Sequence, residues 1–449
     1  MNKSMASLFL TLGSLSASAA PAAAISVSGR EDVRAITLAN GMKVIVWPVK
    51  NIPSVALYNW VRAGSRNEAP GITGLAHFFE HMMFNGTTRR EPGEFDQLME
   101  ARGGANNAFT SDDVTVYQDW FPRDALDLVF DLESDRVANL AFEPKVIESE
   151  RGVVYSERRL RVEDNSQGLL SEQVQAAAFV AHPYHFPTIG WPSDIQSWRI
   201  EDLQKFFRTH YAPNNLTLVV AGDLVPERVF ALARKYFEPI PRHAPPEPVR
   251  TREPEQLGER VVVVERKAQT PLLQYAYKSP AAADERGPAV SLLLSILVDG
   301  DASRLHRLLV EQQKVAIEVS GNWQEGFDPG LFWLYLTLPE GSDPTAVREI
   351  LDHELDSIVA HGVTDRELAR AKSLVEAGFW KKLATIDGKA QLLGEYEVFH
   401  GDWLKMFDAP AQFERVTREQ VQAVAREILD RRKRTVGVLM PVAEGDGSA

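Results

Sequence analysis

The sequence of 449 residues contains no cysteine. This absence excludes disulfide bonds, thiolate metal ligands, cysteine nucleophiles and lipid attachment through a thiol. A metal site in this chain must therefore use histidine and carboxylate ligands. The fold must be stabilised by its hydrophobic core, and a chain of this length is large enough to form one.

Long hydrophobic runs and positive charge are also scarce. After the first residues, no segment has the roughly eighteen consecutive apolar side chains that a transmembrane helix requires. The net charge of −13 argues against a nucleic-acid partner, because phosphate binding needs a basic surface. Apolar content of 44% and charged content of 25% are ordinary for a globular protein.

Residues 1–24 have the composition of a signal peptide. Lys3 supplies weak positive charge, Leu8–Leu12 begins a short apolar stretch, and Ala17–Ala19 or Ala22–Ala24 offers a small-residue cleavage site. The apolar stretch is too short to span a bilayer. We therefore predict a soluble mature protein exported to the periplasm, with an irregular cytosolic N-terminus as the alternative.

A proline-rich stretch over 239–248 divides the chain near its middle. Proline disfavours both helix and sheet, so this composition predicts a stiff linker. We predict an N-terminal domain over 25–240, a linker over 241–256 and a C-terminal domain over 257–443.

A weak internal repeat suggests that the two halves are related. Residues 201–220 contain a helical pattern followed by a strand-like run, and residues 419–439 repeat this order 218 positions later. Helix followed by strand is a common order, so the repeat alone could be coincidence. Together with the central linker, it favours duplication.

The first half mixes strand-like and helical patterns. Val44–Trp47 and Val55–Val61 are rich in β-branched and aromatic residues, which favours strands. Amphipathic stretches such as Pro144–Val162 predict helices. Because regular βαβ alternation is missing, we predict an α+β fold with helices on one face of a sheet.

The segment from His77 to His81 has the order His-x-x-Glu-His. Residues four apart lie above one another on a helix, so His77 and His81 can bind one metal ion. Glu80 leans over the same face and can take a proton from the attacking water. With only 10 histidines in the chain, chance is a poor explanation, and the motif predicts metal-assisted hydrolysis.

The third ligand should be a carboxylate from another element, leaving one coordination position open. Glu148, Glu150 and Glu157 lie within one predicted helix. Glu150 and Glu157 are seven apart and share a face, which suits one ligand and one carboxylate that orients an imidazole. Helical periodicity does not decide which of the two is the ligand.

At these residues the sequence resembles the pitrilysin–insulysin–mitochondrial processing peptidase family of zinc peptidases. His77–Thr87 is similar to the active-site stretch of the family, and Gly103–Ser111 resembles its strand beside the catalytic helix. The distal glutamate of the family lies about 75 residues beyond the second histidine, a spacing carried over from the resemblance and consistent with a helical ligand position. The resemblance thus implies Glu157 as ligand and Glu150 in a supporting role.

The resemblance implies two α/β-roll domains of the same fold, of which only the first binds a zinc ion. Two such chains would pair as a clamshell around an enclosed chamber, where peptides or unfolded segments add as a strand to a sheet edge. Asn107, Ala108 and Phe109 are the expected edge. The alternative is that they form an ordinary buried strand.

The second half departs from the family pattern at two positions. Self-sufficient members carry an arginine and, seven residues later, a tyrosine on a helix after a segment similar to Ser303–Leu305. Val310 and Ile317 stand there in this chain and cannot donate hydrogen bonds to a developing oxyanion. We therefore predict a heterodimer with a related subunit that supplies the pair, with a homodimer as second choice.

Three alternatives stay open from the sequence. The chain could have weak activity alone, or it could be a non-catalytic peptide-binding or assembly subunit of the same fold. A metal hydrolase that does not act on peptides is also conceivable, but the resemblance extends over both halves. The complete set His77, Glu80, His81 and Glu157 favours a zinc-dependent metalloendopeptidase.

Overall fold

The computed structural model describes residues 27–50 and 52–442. The predicted signal peptide over 1–24 lies outside these residues. Within them, none of the helices is both long and apolar enough to cross a membrane.

Each half of the chain contributes one sheet and a set of helices. The strands of the first half are β1 (Arg34–Thr37), β2 (Lys43–Pro48), β3 (Ser54–Val61), β4 (Ala105–Thr110), β5 (Thr115–Pro122) and β6 (Leu216–Gly222). Its helices are α1 (Leu75–Met82), α2 (Glu94–Glu100), α3 (Leu126–Asn139), α4 (Pro144–Arg158), α5 (Ser166–Ala178), α6 (Pro192–Ser197), α7 (Ile200–His210) and α8 (Pro226–Tyr236).

The second half repeats this composition with fewer elements. Its strands are β7 (Arg260–Arg266), β8 (Leu272–Lys278), β9 (Glu318–Trp323), β10 (Leu331–Thr337) and β11 (Arg434–Pro441). Its helices are α9 (Gly287–Val298), α10 (Pro344–His361), α11 (Asp365–Leu383), α12 (Ile386–His400), α13 (Ala409–Arg415) and α14 (Arg418–Ile428).

The two sheets share one strand arrangement, except that the first sheet has the additional edge strand β1. The first has the order β1-β2-β6-β3-β5-β4, and the second has the order β7-β11-β8-β10-β9. In both, the last strand of the half inserts next to the first long strand: β6 is parallel to β2 and antiparallel to β3, and β11 is parallel to β7 and antiparallel to β8. The predicted α+β fold with two similar domains is confirmed.

The repeat seen in the sequence corresponds to this inserted strand and the helix before it. The pair α7 and β6 begins at Ile200 and Leu216, and the pair α14 and β11 begins at Arg418 and Arg434. Both starting points differ by the 218 positions of the sequence repeat. The weak repeat therefore marks equivalent structural elements.

The sheet of the first half is covered on both faces, because both faces of its central strands are apolar. Along β3, Val55 and Leu57 pack with Phe78 and Phe79 of α1 in one core, while Ala56 and Trp60 face the other side. Helices on both faces are typical of strands with continuous hydrophobic sequence. The sequence pattern predicted helices on one face, and the structure has them on both.

The second face of each sheet is covered by a helix from the opposite half. Leu392 and Leu393 of α12 pack on the first sheet around Trp60. In the reciprocal contact, Leu170 and Val174 of α5 pack on the second sheet. The two halves therefore share their cores instead of meeting at a separate interface.

The residues between α8 and β7 form neither helix nor strand. Glu253 in this segment accepts hydrogen bonds from the backbone N–H groups that follow α5, at 2.9 to 3.1 Å. Gln256 donates to the carbonyl of Arg434 at 2.6 Å. The segment is thus attached to both halves.

We predict that Gly394→Ala lowers the free energy of unfolding by about 1–3 kcal/mol, the usual cost of overpacking a core. A Cβ at this position of α12 would lie 2.1 Å from Nε1 of the buried Trp60. Urea denaturation followed by circular dichroism measures the change.

Gly378→Ala in α11 is the matched control, because nothing lies within 4 Å of the added methyl group. Better helix propensity should stabilise that variant by up to ~1 kcal/mol. Equal effects of both substitutions would contradict the proposed close packing of α12 on the first sheet.

Candidate metal centre

The two histidines of the motif lie on α1, on the side opposite the hydrophobic core. Phe78, Phe79 and Met82 are fully buried against the sheet. His77 and His81 therefore project toward α4 and Glu80 toward β4, as expected for a helix with one apolar face.

The start of α1 is held by a buried carboxylate that the sequence motif does not include. Gly74 precedes the helix with a left-handed backbone, and Glu68 accepts hydrogen bonds from Gly74 N–H at 2.6 Å and Ala76 N–H at 2.7 Å. Burial raises the pKa of Glu68 well above its ordinary value, although these two bonds oppose the shift. The carboxyl group occupies the favourable position at a helix N-terminus.

A second carboxylate, Asp194, fixes the chain just before Gly74. Its Oδ2 accepts from Gly71 N–H at 2.9 Å, from Thr73 N–H at 3.2 Å and from the Thr73 hydroxyl at 2.7 Å. Gly190 passes so close that a Cβ there would lie 2.5 Å from the Thr73 carbonyl oxygen, and its φ of +86° also favours glycine. The segment over 187–198, which contains α6, is thus packed directly against the start of α1.

Helix α4, which carries the carboxylates, is anchored to the same segment. Arg151 of α4 donates to the carbonyls of Ile195 and Trp198, the latter at 2.9 Å. Arg158, which is buried, donates to the Gly190 carbonyl at 2.8 Å. These bonds set the position of α4 relative to α1.

Three potential ligand atoms converge between α1 and α4. Glu157 Oε2 lies 3.6 Å from His77 Nε2 and 3.2 Å from His81 Nε2, and the three groups all lie within 4.8 Å of one another. Adjacent ligands of a tetrahedral zinc ion are separated by about 3.3 Å, given Zn–N and Zn–O bonds of ~2.0–2.1 Å. The donor set therefore suits zinc, and the two distances to Glu157 lie close to this separation.

Glu150 orients one of the two imidazoles. Its Oε1 lies 2.7 Å from His81 Nδ1, so an N–H on Nδ1 leaves Nε2 free to face Glu157. His77 Nδ1 is buried and has no hydrogen-bond partner among the described residues. On the far side of Glu157, Arg161 forms an ion pair with Oε1 at 2.8 Å, which keeps Oε2 directed at the histidines.

The electrostatics of the two imidazoles differ. Burial lowers the pKa of His77 to about 4, with a further decrease from the neighbouring His81. Burial also disfavours charge on His81, but its hydrogen bonds to Glu150 and Glu157 outweigh that effect and raise the pKa to about 9. The bond to His81 lowers the pKa of Glu157. The carboxylates thus favour a positive charge at this position.

Glu80 lies beside the three potential ligands without joining them. Burial raises the pKa of its carboxyl group, and the Thr110 hydroxyl donates to its Oε2 at 2.6 Å. Glu80 and His81 line a cleft of about 390 Å³ with residues of β4. A carboxylate in this position can accept a proton from a group bound in the cleft.

The strand β4 is the last strand of the first sheet and pairs only with β5 in the described part of the chain. Asn107 and Ala108 line the cleft, whereas Phe109 points to the other face, near Trp60. The structure therefore places the predicted segment at a sheet edge beside Glu80.

Val310 and Ile317 lie in the second half. Val310 belongs to a short π-helix over His306–Gln312 and packs partly against the second core. Ile317 precedes β9 and is 55% exposed. Neither side chain offers a hydrogen-bond donor.

Sequence reasoning missed several residues that build the site. Glu68, Asp194, Arg151 and Arg161 belong to no motif, and the first three bind mainly backbone groups. Only Arg161 carried a local signal, since it lies four residues after Glu157 on the same helical face.

Comparison with known families gives two matches that together cover most of the chain. Residues 44–190 match the family model "Insulinase (Peptidase family M16)", and residues 197–375 match "Peptidase M16 inactive domain". The chain is 31% identical to the "Zinc protease PqqE" of Helicobacter pylori over 90% of this chain and 92% of that protein.

Solved structures of similar proteins share the fold. A protease from Helicobacter pylori superposes with a TM-score of 0.87 at 28% identity, covering 91% of this chain and 99% of that one. The periplasmic protease PqqL from Escherichia coli superposes with a TM-score of 0.74 at 20% identity, covering 93% of this chain but 48% of that one. The present fold therefore corresponds to about half of the PqqL chain.

We predict that Asp194→Ala destabilises the protein by about 1–3 kcal/mol, because it leaves the N–H and hydroxyl donors of the buried Thr73 unsatisfied. The melting temperature reports the loss. Asp124→Ala, which removes a carboxylate that is 95% exposed, should leave the melting temperature unchanged. An unchanged melting temperature for Asp194→Ala would show that this carboxylate does not hold the start of α1.

Proposed function

Because this chain belongs to peptidase family M16, we propose that it is a zinc-dependent endopeptidase or oligopeptidase subunit that hydrolyses peptides or unfolded segments. The observation that carries this proposal is the convergence of His77, His81 and Glu157 beside a carboxylate that is not a ligand, Glu80. This combination is the minimal set for metal-assisted hydrolysis.

His77, His81 and Glu157 would hold one zinc ion per chain, and the fourth position would remain open. When bound there, zinc supplies a Lewis acid that polarises the peptide carbonyl and makes water more acidic. Glu150 holds His81 in the tautomer that a ligand requires, and Arg161 holds the second oxygen of Glu157.

Glu80 moves the proton. Its carboxylate accepts a proton from the water whose oxygen attacks the peptide carbonyl carbon, and then donates that proton to the amide nitrogen as the C–N bond breaks. Burial raises the pKa of Glu80, which strengthens it as a base.

The edge strand β4 is the proposed docking position of the substrate backbone. A peptide that adds as a further strand beside Asn107 and Ala108 would run through the cleft that Glu80 lines. Phe109 faces away from the cleft and packs against Trp60 on the other face of the sheet.

We further propose that the active assembly is a heterodimer, with a homodimer as second choice. Val310 and Ile317 provide no donors for the oxyanion, so a related subunit would supply an arginine and a tyrosine. The correspondence between this chain and about half of the longer PqqL chain supports a pairing of two such units. The two subunits would enclose the substrate in a chamber.

The second candidate is a non-catalytic peptide-binding or assembly subunit of the same fold. The match of residues 197–375 to an inactive domain agrees with a second half that binds no metal. A purely structural subunit has no need of Glu80 beside the histidines, which favours the catalytic proposal.

For location, the pattern of residues 1–24 supports export to the periplasm, where the relative PqqL resides.

We predict that Glu80→Gln abolishes peptide cleavage while zinc remains bound, because the amide keeps the shape of the side chain but cannot accept the proton. A loss of about 10²–10⁴-fold in kcat is expected for removal of a general base. Cleavage of a quenched fluorescent peptide library and zinc analysis of the same samples measure both properties.

Two variants of α4 serve as controls for this experiment. Glu157→Ala should lose zinc and activity together, whereas Glu148→Gln, whose side chain is 76% exposed, should retain both. Full cleavage by a zinc-loaded Glu80→Gln enzyme would exclude Glu80 as the base.

We predict that the chain alone cleaves the library slowly and that a co-expressed family member with the arginine–tyrosine pair raises kcat by about 10²–10³-fold. Mixing the purified chains at equal concentration provides the measurement. Efficient cleavage by the chain alone would refute the heterodimer and leave the peptidase assignment intact. No cleavage with any related chain would favour the non-catalytic alternative.

A further inference from the structure

The Glu80 carboxylate has one hydrogen-bond donor within residues 27–50 and 52–442, and it comes from a different element. Thr110, the last residue of β4, donates its hydroxyl proton to Glu80 Oε2 at 2.6 Å. Among the described groups, no donor contacts Oε1. A single short bond to one oxygen leaves the other oxygen available to a group in the cleft.

Thr110 is itself held at a fixed point of the sheet. It pairs with Thr115 across the β4–β5 hairpin, and the two hydroxyl oxygens lie 3.3 Å apart. Thr115 donates to the Ala63 carbonyl at 2.9 Å, and Ser111 N–H closes the turn on the Val114 carbonyl at 2.8 Å. The hydroxyl of Thr110 is therefore presented by a rigid hairpin end.

Two aspartates directly after Thr110 anchor this hairpin end in the first half. Asp112 accepts from the Ser65 hydroxyl at 3.0 Å. Asp113 accepts from the Arg66 guanidinium and from the Tyr184 hydroxyl, both at 2.9 Å. Arg66 and Asp113 are both buried, so the hairpin end resists displacement.

The second half reaches the same two aspartates. Phe327 N–H donates to Asp113 at 3.1 Å, and the Gln324 side chain donates to Asp112. Gly326 lies between them, where a Cβ would come within 2.4 Å of the Tyr184 hydroxyl. Contacts from both halves thus set the position of Thr110.

We propose that Thr110 is the positioning residue for Glu80. Its hydroxyl holds Oε2 so that Oε1 faces the cleft as the proton acceptor. This inference rests on the proposed function of Glu80. Without that donor, the partly buried Glu80 carboxylate has no hydrogen-bond donor among the described residues to fix its orientation, and base catalysis requires a fixed orientation.

The test uses the zinc-loaded full chain in its active assembly, with Thr110→Val as an isosteric variant without the hydroxyl. We expect kcat to fall by about 10- to 100-fold, as is typical for loss of a group that orients a catalytic side chain. KM and zinc content should not change. Thr110→Ser should restore kcat, because serine keeps the donor.

Thr217→Val is the matched control, since Thr217 is a buried threonine of the same sheet without a contact to Glu80. It should retain the wild-type kcat. Wild-type kcat in Thr110→Val, or equal losses in Thr110→Val and Thr217→Val, would overturn the inference.

Crystal structures of the zinc-loaded wild-type and Thr110→Val chains give a readout that does not depend on activity. We expect the Glu80 carboxylate to rotate or become disordered only in the variant, and an unmoved carboxylate would contradict the inference. If the wild type fails to cleave any peptide, the proposed function fails, whereas this structural comparison still decides the role of Thr110.

Discussion

The candidate site depends on how two helices distant in sequence are held side by side. His77 and His81 come from α1 and Glu157 comes from α4, and a shift of either helix by about one ångström would disturb the convergence of their ligand atoms. The segment over 187–198 opposes such a shift, because it binds both helices. Asp194 holds the start of α1, and Arg158 joins α4 to the same segment. Contacts to this one segment therefore hold the two ligand-bearing helices in place.

The sequence predicted the parts of this site that depend on local periodicity. His77, Glu80 and His81 share one face of a helix, and Glu150 and Glu157 share another, since both spacings follow from the helical repeat. The choice of Glu157 over Glu150 as ligand came from the family resemblance. In the structure, Glu157 lies beside Nε2 of His81 and Glu150 lies beside Nδ1.

The sequence could not predict what depends on long-range packing. Glu68 and Asp194 bind backbone N–H groups, and an acidic residue of any sequence context could do so. The strand order could not be predicted either, because β6 lies between β2 and β3 in the sheet but follows them in the chain by more than 150 residues. The second face of each sheet is buried by a helix of the opposite half: α12 covers the first sheet, and α5 covers the second sheet.

This exchange of helices has a consequence for how the chain can be divided. A cut within 241–256 would produce two polypeptides. Each would have one sheet face that is no longer covered, and each would have one helix, α5 or α12, that no longer packs on its sheet. Neither fragment could bury this apolar surface alone, but each would contain the helix that covers the sheet of the other. Two such fragments made together have the properties of a split protein that assembles from complementary parts, although the chain is a single polypeptide.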